Sequence, residues 1–228
     1  MTNAQTEQPL KPQLDAVREG IPKMIPSKML GPVQKSIEST ISSFNPSTTL
    51  SVGDVAPDFE LVNSSNEKVK LSDLLSENKS VILMWYRGGW CPYCNVALRA
   101  FVKDTKIFKE HGAQFVAISP ELPDESLSTS EKLDLQFQVL SDVGLKVADQ
   151  YGVSFTVGDD VIKTYDSLGV DFKNMYGNNN NKDAVVRLPV PATFVIDKDM
   201  KIVFRFVDPD FRNRAEPADV LKAVKNIA

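Results

Sequence analysis

Only two cysteines and one histidine occur in 228 residues. That is too few thiolates and imidazoles for a zinc site, and two cysteines do not make the disulfide framework of a small secreted domain. Long apolar runs are also missing, since no stretch approaches the about 18 apolar residues that a membrane helix needs. Neither charge sign is in large excess: 26 basic against 30 acidic residues, net −4. Binding to nucleic acid or to an anionic membrane therefore gains no support. The first 50 residues hold five basic and four acidic side chains, Arg18 being the single arginine, and no apolar core. This is unlike a secretory signal or a mitochondrial presequence, so the cytoplasm is the expected location. No metal or organic cofactor is implied.

What is present converges on residues 81–94, Val-Ile-Leu-Met-Trp-Tyr-Arg-Gly-Gly-Trp-Cys-Pro-Tyr-Cys. The apolar run Val81–Trp85 predicts a strand buried on both faces, as in the middle of a parallel sheet. Gly88 and Gly89 allow a sharp turn and a close approach of another backbone. Leu98, Phe101, Val102, Thr105 and Phe108 then share one face of a helix. Pro92 suits the first helical turn, which places Cys91 at the N-cap, beside unpaired N–H groups and the positive end of the helix dipole. That position favours a thiolate. Cys94 lies one turn further in, close enough to close a disulfide with Cys91. Cys91 as nucleophile and Cys94 as resolver form the expected dithiol pair. A purely structural disulfide is the plainer alternative, but so small a loop constrains the unfolded chain little.

Residues 1–49 carry six of the 14 prolines and predict a helical extension with a linker. One short amphipathic helix uses Leu14, Val17 and Ile21, and a second uses Val33, Ile37, Ile41 and Phe44. Their stripes need the main domain or a second subunit to lie on. Residues 50–228 predict one α/β domain. A hairpin over Asp58–Leu71 is followed by the central strand, the cysteine helix and a strand at Gln114–Ser119. Helices are expected at Ser128–Leu135, Val143–Tyr151 and Asp159–Leu168, with a short strand at Phe137–Leu140. Gly177 with Asn178–Asn181 predicts a flexible loop. Strands at Ala192–Ile196 and Ile202–Val207 and a helix opened by Glu216-Pro217 close the chain. Beside the cysteines, Arg87 suits either a thiolate-stabilising or a solvent-facing cation, Trp85 and Trp90 suit core and rim aromatics, and His111 suits the end of the cysteine helix. Val190-Pro191 precedes a core strand, where proline is often cis.

With these residues in view, the chain resembles the thioredoxin fold of the alkyl hydroperoxide reductase/thiol-specific antioxidant (peroxiredoxin-like) superfamily. The resemblance rests on Val52-Gly-Asp-Val-Ala-Pro-Asp-Phe59, on Arg87-Gly-Gly-Trp-Cys-Pro-Tyr-Cys-Asn95, on Ala117-Ile-Ser-Pro-Glu121 and on Pro189-Val-Pro-Ala-Thr-Phe-Val-Ile-Asp197. It implies a central mixed β-sheet flanked by helices. The chain departs from typical members around the reactive cysteine, Cys91. Their Thr or Ser three residues earlier is Gly88, their Pro seven earlier is Met84, and their Glu three later is Cys94. Their arginine before the Ala-Thr-Phe strand is Pro191. Trp-Cys-Pro-Tyr-Cys with a proline at 191 is also similar to thioredoxins and glutaredoxins, which favours a cis Val190–Pro191 bond.

The resemblance implies a thiol-dependent antioxidant oxidoreductase that reduces hydroperoxides through Cys91 and Cys94. An external donor such as thioredoxin or glutaredoxin/glutathione would recycle it. Arg87, Gly88, Gly89, Trp90, Pro92, Val190 and Pro191 are its expected assisting residues, with Arg187 a substitute cation. The alternative activity is protein disulfide reduction by the same thiols. A third possibility is a redox-regulated interaction protein, or a homodimer, working through the N-terminal helices.

Overall fold

All six residues of Ser80–Trp85 are buried, and the sheet is assembled around this strand. The computed structural model describes residues 9–176 and 185–227, so the loop expected at Gly177–Asn181 lies outside the described residues. The chain opens with two helices, α1 (Leu10–Met24) and α2 (Leu30–Ser43), then a hairpin, β1 (Glu60–Asn63) and β2 (Lys68–Lys70). Helix α3 (Leu71–Glu77) leads into β3 (Ser80–Trp85), and α4 (Pro92–Glu110) and β4 (Ala113–Ser119) follow. Next come α5 (Pro123–Leu133), β5 (Gln138–Ser141) and α6 (Lys146–Gln150). An insertion then contributes β6 (Ser154–Thr156), α7 (Asp159–Asp166), α8 (Phe172–Met175) and β7 (Arg187–Pro189). Strands β8 (Ala192–Asp197) and β9 (Ile202–Val207) and helix α9 (Pro217–Lys225) complete the order.

Seven strands form one mixed sheet in the order β2-β1-β5-β4-β3-β8-β9. Strand β3 pairs parallel with β4 and antiparallel with β8. Alternate residues of β3 serve opposite faces, as strand geometry requires. Ile82 and Met84 pack with Leu98 and Phe101 of α4 and Val220 of α9. Val81, Leu83 and Trp85 pack with Leu71 and Leu75 of α3 and Ala148 of α6.

Apart from Ile41, which is exposed, the N-terminal stripes find their partners within the chain. Leu10 and Leu14 of α1 are buried in the α4 cluster, and each contributes roughly 1.5–3 kcal/mol by leaving water. The N–H groups of Leu10 and Lys11 both donate to the Glu216 carboxylate, at 2.8 Å. The N-terminus of α1, rich in unpaired donors, is thereby satisfied by a residue from the far end of the sequence. The main surprise is the insertion. Strands β6 and β7 form a separate antiparallel ribbon, and Phe155, Tyr165, Phe172, Tyr176, Leu188 and Val190 form a third cluster beside it. Only α7 is legible there beforehand, because three-residue strands are too short to display a period.

Candidate active site

The end of β3 hands over to α4 through Tyr86–Cys91, and both thiols lie at that junction. Cys91 is the N-cap residue and Pro92 begins the helix, as expected. Cys94 follows at the third helical position. Both thiols are free and both are covered, Cys91 being 1% and Cys94 0% exposed.

The glycines make this turn possible. Gly88 has φ +151°, and a Cβ there would lie 2.5 Å from Trp90 Nε1 and 2.8 Å from Glu121 Oε1. A Cβ on Gly89 would meet Thr129 Oγ1 at 2.1 Å. Neither site has room for a side chain, so these residues serve the packing of the turn. The Gly89 N–H donates to Glu121 Oε1 at 2.9 Å, and the carbonyl of Gly89 accepts from Asn95 Nδ2 at 2.9 Å.

Arg87 is 1% exposed, which settles the choice between a buried and a solvent-facing cation. Its guanidinium lies 3.9 Å from the Phe211 ring centroid, 4.7 Å from Trp90 and 5.2 Å from Tyr165. Its Nη2 donates to the Tyr165 hydroxyl at 3.1 Å. Trp90 donates through Nε1 to the Tyr176 hydroxyl at 2.8 Å, and that hydroxyl donates to the Arg87 carbonyl at 2.7 Å. The aromatic cluster of the insertion thus packs on the turn that carries the thiols. Among the described residues the Arg87 Nε–H has no hydrogen-bond partner and is an unspent buried donor.

A second arginine arrives unannounced. Arg214, 8% exposed, donates from Nη2 to Cys94 Sγ at 3.3 Å. Its Nη1 donates to the carbonyl of Phe211 and, at 2.7 Å, to that of Asn213. These bonds fix the guanidinium within its own loop and aim the remaining edge at the sulfur. Sequence reading had no signal for it beyond the presence of an arginine, since 120 residues separate it from Cys94.

The guanidinium bond favours charge on the inner sulfur. Burial pushes the Cys91 thiol well up, and its coupling to Cys94 adds to that. Burial would also raise Cys94, but the hydrogen bond from Cys91, the Arg214 guanidinium and the Arg87 N–H and charge outweigh it and bring Cys94 down to about 5. The expectation of a lowered Cys91 is reversed. Its helix N-terminus is real, but the guanidinium bond is directed at Cys94, and a single unit of charge is shared between adjacent sulfurs. Glu121 is 1% exposed, and burial lifts it to about 7 against the hydrogen bond from Gly89.

The other expected residues are less central. No peptide bond among the described residues is cis, so the cis Val190–Pro191 expectation is corrected. The chain runs extended from β7 into β8, and the Val190 N–H donates to the Val153 carbonyl at 2.7 Å, a course that a trans proline continues. Arg187 is occupied at a distance, paired with Asp149 and donating to Ser154 Oγ at 2.7 Å. His111 caps the end of α4 with Nδ1 on the Ile107 carbonyl at 2.9 Å.

Comparison with known proteins agrees with this geometry. A putative peroxiredoxin, bcp, of Buchnera aphidicola is 35% identical over 106 residues, covering 46% of this chain and 66% of the relative. The chain thus spans about two thirds of that relative's length. Peroxiredoxin Bcp of Escherichia coli is 31% identical over 123 residues, covering 52% of this chain and 74% of the relative. In three dimensions the chain is similar to peroxidoxin BcpB of Mycobacterium tuberculosis, with a TM-score of 0.59 and 24% identity over 78% of this chain and 99% of that one. That likeness supports the thioredoxin-like fold. The model of the AhpC/TSA family matches residues 52–205, a stretch containing both thiols, the whole insertion and the sheet from β1 to β8, and the chain belongs to that family.

Proposed function

We propose that the protein is a thiol-dependent peroxidase, a peroxiredoxin-like oxidoreductase working through the Cys91/Cys94 pair. The observation that carries this reading, against protein disulfide reduction, is the closure of the thiols to polypeptide. In thioredoxin-like proteins the backbone ahead of the proline loop pairs with an extended substrate. Here the Val190 N–H in that stretch is already bonded to Val153. Cys91, the outer thiol, is 1% exposed beneath its neighbours. A small hydroperoxide needs only side-chain movement to reach such buried thiols, whereas a protein disulfide needs the strand edge itself.

The arrangement supports one order of events. The Cys94 thiolate attacks a peroxide oxygen, so that an S–O bond forms as the O–O bond breaks. The departing oxygen takes a proton and leaves as water or an alcohol, and the sulfur has lost two electrons as a sulfenic acid. The Cys91 thiol then attacks that sulfur, the disulfide forms and water leaves. An external dithiol, of the thioredoxin or glutaredoxin type, returns the pair to thiols. The unspent Arg87 Nε–H and the Arg214 guanidinium supply donors for charge that develops on oxygen.

Residues 50–228 form the catalytic domain in this reading, and residues 1–49 an extension packed upon it. A reducing compartment such as the cytoplasm suits the free thiols. No helix among the described residues is long and apolar enough to cross a membrane. A homodimer through the N-terminal helices would have to use the exposed Met24, Leu30 and Ile41, since Leu10, Leu14 and Ile37 are already buried within the chain.

Stopped-flow mixing of the reduced protein with hydrogen peroxide, and separately with an oxidised protein disulfide, tests the proposal through tryptophan fluorescence. The expected result is a peroxide rate constant at least about a hundredfold above that of a free cysteine thiolate, consistent with one or more positioned donors. Reaction with peroxide no faster than the free thiolate, together with rapid reduction of the protein disulfide, would reject it.

A further inference from the structure

Arg214 lies in a short segment whose two flanks are both bonded to the N-terminal helix. On one side, Asn213 accepts from Arg18 Nη2 through Oδ1 at 3.5 Å. On the other, the Glu216 carboxylate accepts the first two N–H groups of α1, both at 2.8 Å. Between them Arg214 turns inward to Cys94. Leu10 and Leu14 of α1 share a buried cluster with Cys91, Cys94, Tyr93 and Phe211, so the same helix also belongs to the apolar packing around the thiols. A carboxylate at a helix N-terminus, bonded to two amides, is a strong attachment. Nothing in the chemistry of the thiols requires it.

We propose that α1 is a clasp on the active-site arginine, with Glu216 as the positioning residue that holds Arg214 against Cys94, so that peroxide reactivity depends on the docking of the N-terminal helix. This rests on the peroxidase reading for its functional consequence, but the clasp itself can be measured without peroxide. The groups facing Cys94 are Arg214 from the closing loop, Arg87 and Cys91 from the cysteine turn, Glu121 with Tyr86 from beneath it, and Tyr176 from the insertion. Glu216 touches none of the reacting atoms. It acts through the backbone two residues from Arg214. A helix that served stability alone would shift the melting temperature when released and leave the sulfur's titration unmoved.

The test compares Glu216→Ala, Glu216→Gln, Arg214→Met and the double variant Arg214→Met/Glu216→Ala in the full-length reduced protein. Thiolate formation is followed against pH by its ultraviolet absorbance, and the peroxide rate constant is measured at neutral pH. Releasing the clasp in Glu216→Ala should raise the thiolate midpoint by about one pH unit and slow the peroxide reaction about tenfold. Glu216→Gln keeps an acceptor without the charge and should show a smaller shift in the same direction. The double variant should show no more shift than Arg214→Met alone, because both changes break one interaction. A Glu216→Ala protein that releases α1, seen by faster hydrogen exchange at Leu10 and Lys11, yet titrates like wild type would overturn the clasp. Equal shifts from Glu216→Ala with and without Arg214 would overturn it too. If Glu216→Ala does not fold, the Gln variant decides by the same comparison. A wild type that ignores peroxide would reject the peroxidase reading, while the titrations still judge the clasp.

Discussion

Two segments meet at the thiols, and they contribute unlike things. Residues 85–95 are contiguous and bring both sulfurs, the turn, and Arg87 inside a box of aromatic rings. Residues 208–217 come from beyond β9 and bring a hydrogen bond to sulfur, Arg214 to Cys94. Arg87 is a fixed cation whose field reaches both thiols, because rings and the Tyr165 hydroxyl hold it in place. The charge of Arg214 also reaches both thiols, but its hydrogen bond is directed at Cys94 alone, and its loop is tied to a helix from the other end of the chain. A field does not choose between neighbouring sulfurs, whereas a directed hydrogen bond does. That directed bond, with the Arg87 backbone N–H beside it, favours charge on the inner cysteine.

The largest effect would come from breaking that choice outright. Cys94→Ser should lose the peroxide reaction by at least about a thousandfold, because the attacking thiolate is gone. Cys91→Ser should leave the first attack intact and accumulate a sulfenic acid on Cys94, visible by mass spectrometry as one added oxygen. The opposite pattern, with Cys91 oxidised in Cys94→Ser at the wild-type rate, would make Arg214 a bystander on the wrong sulfur.

The two arginines can then be set against each other. Arg214→Met should raise the Cys94 midpoint by about two units and reduce the neutral-pH peroxide rate constant about a hundredfold, through loss of a directed donor. Arg87→Met should shift the midpoint by less but cost more stability. It loses three ring contacts worth roughly 0.5–2 kcal/mol each and leaves the Tyr165 hydroxyl with one partner fewer. Equal midpoint shifts in the two variants would mean that field alone sets the thiolate.

Local chemistry was readable and long-range chemistry was not. The apolar run at 81–85, the paired glycines and the Pro92 helix start each signal their structure within a few residues, so the β3–α4 junction and its cysteines stood in plain view. The closing strands and α9 were readable for the same reason. Arg214 and Glu216 matter only because the fold brings them to Cys94 and α1, and no local period encodes that. The family spacing did carry an overlooked hint. Counted back from Cys94 instead of Cys91, the Thr or Ser typical three residues before the reactive cysteine falls on Cys91, whose thiol helps to lower Cys94. Glu121 stood in the Ala117–Glu121 motif, but only its burial under the glycine turn gives it a role.

Glu121 supplies the smallest effect and the sharpest sign. Its carboxyl titrates near 7 in the folded chain, against about 4.3 when unfolded. A carboxyl raised on folding binds its proton more tightly in the native state. Its contribution is complete below the unfolded value and is lost as pH rises through the folded one. Between pH 5 and 7 that loss amounts to about 2 kcal/mol. Cys94 runs the other way, since a thiol lowered to about 5 stabilises the fold increasingly as pH climbs toward its unfolded value. The two slopes oppose each other in the wild type, so its pH dependence alone would mislead. Glu121→Gln removes one and leaves the other, while its amide oxygen still accepts from Gly89. The variant should therefore gain on the wild type by about 2 kcal/mol from pH 5 to 7, or roughly 4–8 °C in melting temperature for a chain of this size. Thermal melts of both proteins at pH 5, 6 and 7 measure the difference directly. A difference that stays flat across the three would place an already ionised carboxylate beneath the turn and remove Glu121 from the charge balance around Cys94.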